Sequence, residues 1–349
     1  MPVTHDAALR FAIQQLSQGA PLTREGSAAA FGVVMRGEAT PVQIAALLMG
    51  LRSKGETPDE VAGAALALRS AMLRLDTEDP HLLVDTCGTG GGRVGTLNIS
   101  TAAAFVVAGA GVAVAKHGNR SYTSRSGSAD VLEALGIDID LAPDAARDAL
   151  ESTKLTFLFA PAYHPAMRHM GPVRKELGVH TIMNLLGPLA NPAGVVRQVV
   201  GVSEAARGKV VAETLAMLGT SHALVLHAAV GMDEISPSGP TLVWEVRDER
   251  VSTWELEPAT FGLESGNLED LAGGEPAENA VRIERLFAGQ GSRVVRCAVL
   301  LNAAAALFVS ANGWQMDEAV ERAANALDSG AAAGVLERLR LTARRKIRS

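Results

Sequence analysis

The stretch Gly88-Thr-Gly-Gly-Gly-Arg-Val-Gly95 follows an apolar run at 82–86 and leads into Asn98-Ile-Ser-Thr101, where a helical pattern begins. Glycine has no side chain in the way and tolerates positive φ, so backbone N–H groups in such a loop can close around an anion. Taken alone, the loop fits a structural turn and a phosphate cradle equally well. Gly90-x-Gly92-x-x-Gly95 also has the spacing of a dinucleotide fingerprint, but the next strand ends in Lys116-His117 instead of an acid for ribose hydroxyls. A Walker A loop is excluded, because no Gly-Lys-Ser/Thr closes the glycine run.

Lys116, His117, Arg120 and Arg125 surround Gly118 and Asn119 in a tight turn after an apolar strand, which is expected to aim these groups at one point. With the glycine loop they suggest a ligand carrying more than one phosphate. Hydroxyls at Ser100 and Thr101 can cap free helix N–H groups; alternatively the same helix start binds phosphate with its positive dipole end and Ser100 ligates a metal. Asp233-Glu234 follows an apolar strand across a glycine-containing loop. Adjacent acids are usually solvated, yet Mg²⁺ favours one or two carboxylates completed by water and substrate phosphates. Arg174 follows Gly171-Pro172, a helix-start signal, and is either plain surface or a fork for a carboxylate in a cleft.

The elements that must position these groups fall into two kinds. Up to about residue 75 the apolar spacing is helical: Leu9, Ile13 and Leu16 share a face that ends at Gly19. Thr40-Pro41-x-Gln43 and Thr57-Pro58-x-Glu60 read as capping boxes with proline at the first helical position. From residue 82, short apolar runs at 82–86, 112–116, 155–160, 197–202 and 222–228 alternate with helical segments. That alternation predicts an α/β fold with a largely parallel sheet flanked by helices. Residues 163–190 interrupt it with a proline-broken helical segment expected to pack back on the N-terminal helices. Two domains follow: a smaller all-helical one (1–75 plus about 163–190) and an α/β one (76–162 plus 191–349). Residues 241–256 read as a hairpin turning at Arg247-Asp-Glu-Arg250.

The 349 residues, 48% of them hydrophobic, supply a sizeable core. A formal charge of −6 offers no broad basic surface to a nucleic-acid backbone, so anion binding must be local. Cys87 and Cys297 are expected to be reduced thiols of a cytoplasmic protein. Met1-Pro-Val-Thr-His-Asp carries no basic segment ahead of an apolar run, so no export is expected. The run Ala102–Ala115 is too short for a bilayer and reads as a buried helix passing into a buried strand.

Together the motifs resemble the anthranilate phosphoribosyltransferase family. The segments that carry the resemblance are Asp85-Thr-Cys-Gly-Thr-Gly-Gly91, Asn98-Ile-Ser-Thr101, Lys116-His-Gly-Asn-Arg120, Ser126-Gly-Ser-Ala-Asp-Val-Leu-Glu133, His164-Pro-Ala-Met167, Pro172-Val-Arg174, Asn184-Leu-Leu-Gly-Pro-Leu189 with Asn191-Pro192, and Gly231-Met-Asp-Glu234. They run in family order over most of the chain. The resemblance implies transfer of the 5-phosphoribosyl group from phosphoribosyl pyrophosphate to the amino group of anthranilate, a step toward tryptophan. It also implies Mg²⁺, a homodimer through the helical domain, association with anthranilate synthase components, and no nucleic-acid or membrane partner.

By the same resemblance, phosphoribosyl pyrophosphate is held by Gly88, Gly91, Gly92, Thr96, Asn98, Ile99, Ser100, Thr101, Lys116, His117, Gly118, Asn119, Arg120, Ser124 and Ser128. Ser100, Asp233 and Glu234 hold the metal. Gly88, Asn119 and Arg174 receive anthranilate, with Arg174 on its carboxylate. Lys116, Asn119 and Arg174 are implied as catalytic; no general base is nominated, and His117 qualifies only by proximity. The chain departs from the family pattern at Gly92, where Asp is usual, and Arg93 follows; Tyr122 and Arg125 stand where smaller residues and lysine are common. The expected consequence is a raised donor KM with the reaction type unchanged. Two rivals are a pyrimidine nucleoside phosphorylase, which needs neither Arg174 nor an acidic pair, and a non-catalytic nucleic-acid-binding relative, which the charge of −6 and the intact Asp233-Glu234 oppose.

Overall fold

The computed structural model describes residues 7–91, 94–121, 125–264, 266 and 268–345. Four helices come first: α1 (Ala7–Ser17), α2 (Arg24–Met35), α3 (Pro41–Lys54) and α4 (Pro58–Ala71). Thr40 and Thr57 accept from the N–H three residues on, while Gln43 and Glu60 reach back, so both expected capping boxes form. Pro41 and Pro58 take the first helical position, where no N–H is required.

Alternation then begins with β1 (Asp85–Gly88), α5 (Ile99–Gly109), β2 (Val114–Gly118), α6 (Ser128–Ala134), α7 (Pro143–Thr153) and β3 (Leu155–Phe159). The run at 82–86 becomes strand only from Asp85, because Asp79 accepts the His81 N–H at 2.9 Å and closes a short 3-10 turn over Pro80–Leu82. Helices α8 (Ala160–Tyr163), α9 (Gly171–Leu177) and α10 (Met183–Leu189) interrupt the alternation. It resumes with β4 (Arg197–Gly201), α11 (Ala205–Met217), β5 (His222–Ala228) and the hairpin β6 (Thr241–Arg247) and β7 (Arg250–Leu256). Asp248 and Glu249 at the hairpin turn both have positive φ, 48° and 65°, which matches the twist of a two-residue connection. Four helices close the chain: α12 (Pro276–Phe287), α13 (Arg293–Val309), α14 (Met316–Asp328) and α15 (Ala331–Arg345).

The larger sheet has the order β1-β4-β5-β6-β7. Strands β1, β4 and β5 are parallel, while the hairpin adds an antiparallel edge. Strands β2 and β3 pair in parallel as a second sheet, bridged to the first through Val84 and Val114.

Side-chain alternation along the central strands separates two cores. Val199, Leu224, Leu226 and Val243 face a core made with α5 and α13. Their neighbours Val200, Ala223, Val225 and Trp244 face the other, which contains Leu47, Leu51 and Val61 of the N-terminal helices and Met170, Ile182 and Leu186 of the mid-chain segment. The mid-chain helices therefore pack with the N-terminal ones against one face of the sheet. Cys87 and Cys297 are free thiols. Among the described residues no helix is long and apolar enough to cross a membrane.

Candidate functional site

Because β1, β4 and β5 are parallel and adjacent, their C-terminal ends form one edge, with Gly88 paired to Gly201 and Gly201 to Leu226. The loop after β5 folds back across this edge. A Cβ on Gly201 would lie 1.6 Å from the Asp233 carbonyl oxygen, so only glycine lets the acidic pair approach the strand end. A Cβ on Gly88 would stand 3.0 Å from Asp233 Oδ2. The glycine-loop N–H of Thr89 donates to the Gly201 carbonyl at 2.9 Å.

Glu234 spans the gap from this edge to the start of α5. Its Oε1 accepts the Ser100 N–H at 2.9 Å and its Oε2 accepts the Thr96 hydroxyl at 3.0 Å. The helix start is thus capped by a distant carboxylate, and Asn98, at the cap position, makes no capping bond itself. This corrects the expectation of local hydroxyl caps; a negative group at the positive helix end is favoured for the same reason that a phosphate would be. Loss of hydration, followed by the neighbouring Asp233, pushes the Glu234 pKa up to about 8. Burial likewise raises Asp233.

Lys116 is 3% exposed and lies under this edge, with Nζ donating to the Thr86 carbonyl and 3.5 Å from Ser100 Oγ. Burial lowers its pKa, and Asp85, Cys87 and Glu234 oppose that shift. Asp85 is fixed beneath it, accepting from Asn191 Nδ2 at 2.8 Å and the His117 N–H at 3.2 Å. Burial raises Asp85, with Lys116 pulling the other way. Burial, then Asp85, also drives the Cys87 thiol upward.

The four cations do not converge on one point, contrary to the sequence expectation. Consecutive strand residues face opposite ways, so His117 turns from Lys116 toward the mid-chain segment. Its Nδ1 is 3.1 Å from the Gly187 carbonyl and its Nε2 is 3.1 Å from His164 Nε2. Burial, then His164, depresses His117 to about 3, and burial depresses His164 to about 4. Arg120 leans over α6, pairing with Asp130 at 3.0 Å and with Glu133 through Nη2 at 2.9 Å, above the Phe159 ring. Arg125 is exposed.

The Gly118-Asn119 turn rests on the start of α6: Ser128 Oγ donates to the Asn119 carbonyl at 3.3 Å, and a Cβ on Gly118 would meet that hydroxyl at 2.2 Å. Asn98 accepts from Ser126 Oγ and from Asn279 Nδ2, both at 3.1 Å, tying the helix start to α6 and α12. Ile99 and Thr101 are buried in the core. Gly91 has a φ of 80°, and His180 covers it: a Cβ there would lie 2.6 Å from the imidazole Cε1. Arg174 sits half-buried on α9, six residues before His180. Gly92 and Ser124 lie outside the described residues.

Sequence reasoning missed Gly201, His180, Asn279 and Asn302. One signal existed for the last: Asn302 is the only polar residue in Val299-Leu-Leu-Asn-Ala-Ala-Ala-Ala-Leu307.

Residues 80–333 match the glycosyl transferase family a/b domain and residues 10–72 the helical bundle domain of the same family. An anthranilate phosphoribosyltransferase of Bradyrhizobium sp. is 49% identical over 331 residues, covering 95% of this chain and 97% of its own. That of Symbiobacterium thermophilum is 50% identical over 329 residues, covering 94% and 96%. The chain belongs to the anthranilate phosphoribosyltransferase family. Among solved anthranilate phosphoribosyltransferases, the Thermus thermophilus structure superposes with a TM-score of 0.90 at 42% identity, covering 95% of this chain and 99% of its own. The Saccharomyces cerevisiae structure in complex with phosphoribosyl pyrophosphate and Mg gives 0.89 at 28% identity, covering 97% and 98%.

The residues present fit a divalent cation of the magnesium type. Two adjacent carboxylates deprived of hydration favour a proton when no cation is near, and the Ser100 hydroxyl adds a third hard oxygen donor. Among the described residues no three or more His, Cys, Asp or Glu side chains form a full cage, as suits a cation completed by water and substrate phosphates.

Proposed function

We propose that this chain transfers the 5-phosphoribosyl group from phosphoribosyl pyrophosphate to the amino group of anthranilate, giving N-(5-phosphoribosyl)anthranilate and pyrophosphate in tryptophan biosynthesis. The observation that carries the reading is the meeting of the α5 start and the Asp233-Glu234 pair at one strand edge, in a chain about half identical to anthranilate phosphoribosyltransferases along nearly all its length. The site residues named in the sequence are proposed in their implied roles, except His117, whose ring is held by Gly187 and His164: Gly88, Gly91, Gly92, Thr96, Asn98 to Thr101, Lys116, Gly118 to Arg120, Ser124 and Ser128 for the donor, and Gly88, Asn119 and Arg174 for anthranilate.

In this reading the bond from the ribose anomeric carbon to pyrophosphate breaks as the amine nitrogen bonds to that carbon, and the nitrogen then gives up a proton. Ser100, Asp233 and Glu234 would hold Mg²⁺, which would supply positive charge for the departing pyrophosphate. Lys116 adds a buried positive charge below the same edge, where low dielectric strengthens its field. Backbone N–H groups of the glycine loop and of the α5 start bind and orient phosphate oxygens. Arg174 anchors the acceptor carboxylate, and such orientation is worth up to about 7 kcal/mol in favourable systems. The aromatic amine carries its own lone pair, so the chain's task is positioning. His117, neutral and bonded between Gly187 and His164, is set up to hold the strand and not to take a proton.

The helical domain (1–75 plus about 163–190) is proposed to join two copies. Phe11 on α1 and Val42 on α3 are 60% and 78% exposed, large apolar groups open to a partner. A cytoplasmic location and association with anthranilate synthase components complete the proposal.

Loss of anthranilate fluorescence in the presence of phosphoribosyl pyrophosphate and Mg²⁺ tests it. Wild-type protein is expected to consume anthranilate, and Arg174→Ala to need far more of it. No loss with either protein, or phosphorolysis of thymidine instead, overturns the reading.

A further inference from the structure

Helix α13 is a nearly continuous apolar rod from Val294 to Val309, and Asn302 lies in its middle, 5% exposed. A polar amide buried there must be bonded or it destabilises the core. All of its bonds but one go to a single residue. Asn302 Oδ1 accepts the Ile235 N–H at 3.0 Å, and Nδ2 donates to the Ile235 carbonyl at 2.9 Å; Nδ2 also reaches the Ala298 carbonyl of its own helix at 2.9 Å. Ile235 follows Glu234 directly. A cavity of about 10 Å³ lined by Thr86, Cys87, Ser100, Asp233, Glu234 and Asn302 adjoins the acidic pair, while Ile235 is buried in the core beside it.

We infer that Asn302 is a positioning residue for the acidic pair: its amide brackets both backbone polar groups of Ile235 and thereby sets where the Asp233 and Glu234 carboxylates stand against Ser100. This rests on the reading of that pair as the metal-holding one. The hydrogen bonds of Asn302 go to Ile235 and Ala298, neither of which is among the donor or acceptor residues named above. An apolar side chain at 302 suits the helix and releases the loop, leaving the Ile235 N–H and carbonyl without partners.

The test is calorimetric titration of phosphoribosyl pyrophosphate, without anthranilate, into wild-type protein, Asn302→Ala and Asn302→Leu over a series of Mg²⁺ concentrations. The expected result is a Mg²⁺ midpoint for donor binding raised about tenfold or more in the variants, the scale of outer-sphere effects on metal sites. A folded variant with the wild-type midpoint overturns the inference, even if its Tm is lowered. Where Asn302→Ala does not fold, Asn302→Leu, apolar and leaving no void in the helix packing, decides. The wild type gives a check needing no variant: the Ile235 amide is expected to resist hydrogen exchange before Mg²⁺ is added, and fast exchange there overturns the bracket. If wild-type protein binds no donor at any Mg²⁺ concentration, the functional reading fails instead, and the two failures are distinct.

Discussion

Glu234 caps the helix that begins near Ser100, accepting its N–H at 2.9 Å across 134 residues of sequence. The helix end attracts a carboxylate for the reason it would attract a phosphate, so in the proposed site metal and donor would meet one protein anion already in place.

A pH dependence follows from that pair. With no cation near, Glu234 titrates at about 8, above its usual value, because burial and Asp233 disfavour the second charge. Folding of the metal-free protein is therefore favoured by the protonated acid, an advantage fully present below about pH 4.5 and lost as pH rises through about 8. Mg²⁺ favours the ionised form, so binding of Mg²⁺ with donor should release protons below pH 8 and tighten as pH rises toward it. Calorimetry in buffers of different ionisation enthalpy measures the release. Glu234→Gln should abolish most of it, and an unchanged release in that variant would sink the idea.

Steric closeness at the strand edge gives a second prediction. At Gly201 an added Cβ meets the Asp233 carbonyl oxygen at 1.6 Å, while at Gly95 nothing lies within 4 Å. Gly201→Ala must push the acidic loop off the edge, at a stability cost of about 3 kcal/mol or more if the backbone gives way incompletely. Gly95→Ala should stay within about 0.5 kcal/mol. Urea unfolding of both variants, with Mg²⁺ titration of any folded Gly201→Ala, checks the contrast; equal stabilities would contradict it.

Much of this architecture was legible in local pattern, because caps and periodicity act within a few residues. Thr40 with Gln43 and Thr57 with Glu60 close the capping boxes their spacing announces. What local pattern lacks is strand order. Gly201 matters only because β4 lies between β1 and β5, bringing Gly88, Gly201 and Asp233 together from distant parts of the chain. The same limit explains the cations: the run Lys116 to Arg120 was readable as a cluster, but a strand places Lys116 and His117 on opposite faces, and Arg120 finds acids on α6. Asn302 shows the converse, a single polar residue in an apolar helix that announces a partner without saying which.

The histidine pair predicts sensitivity to acid. With His117 Nδ1 facing the Gly187 carbonyl, the bonding assigns the proton to Nδ1, and Nε2 accepts from His164 Nε2. Protonating His117 at Nε2 would set that N–H against the His164 Nε2–H, and protonating His164 would place a charge in a buried ring. Unfolded histidines take up protons near 6.5, while the folded pair resists until about 4 and about 3. The pair thus costs nothing above pH 6.5 and destabilises progressively below it, at about 1.4 kcal/mol per pH unit for each ring. His164→Gln keeps a donor toward His117 and removes one titrating ring, so urea midpoints between pH 7.5 and 4.5 should fall less steeply than in the wild type. Parallel slopes would exclude the pair as the cause.

Gly92 stands where the family resemblance leads one to expect Asp, and the last prediction rests there. The described part of the loop is tightly set: Thr89 bonds to Gly201, and Gly91 at positive φ lies under His180. By the family resemblance an acid at 92 helps organise the donor, whereas this chain carries glycine there, followed by the cation Arg93. Gly92→Asp should therefore lower the donor KM several-fold with little change in kcat, the signature of binding gained equally in ground and transition states. Steady-state kinetics with phosphoribosyl pyrophosphate varied at saturating anthranilate measure it, and an unchanged or higher KM would show that the chain holds its donor without needing an acid at that position.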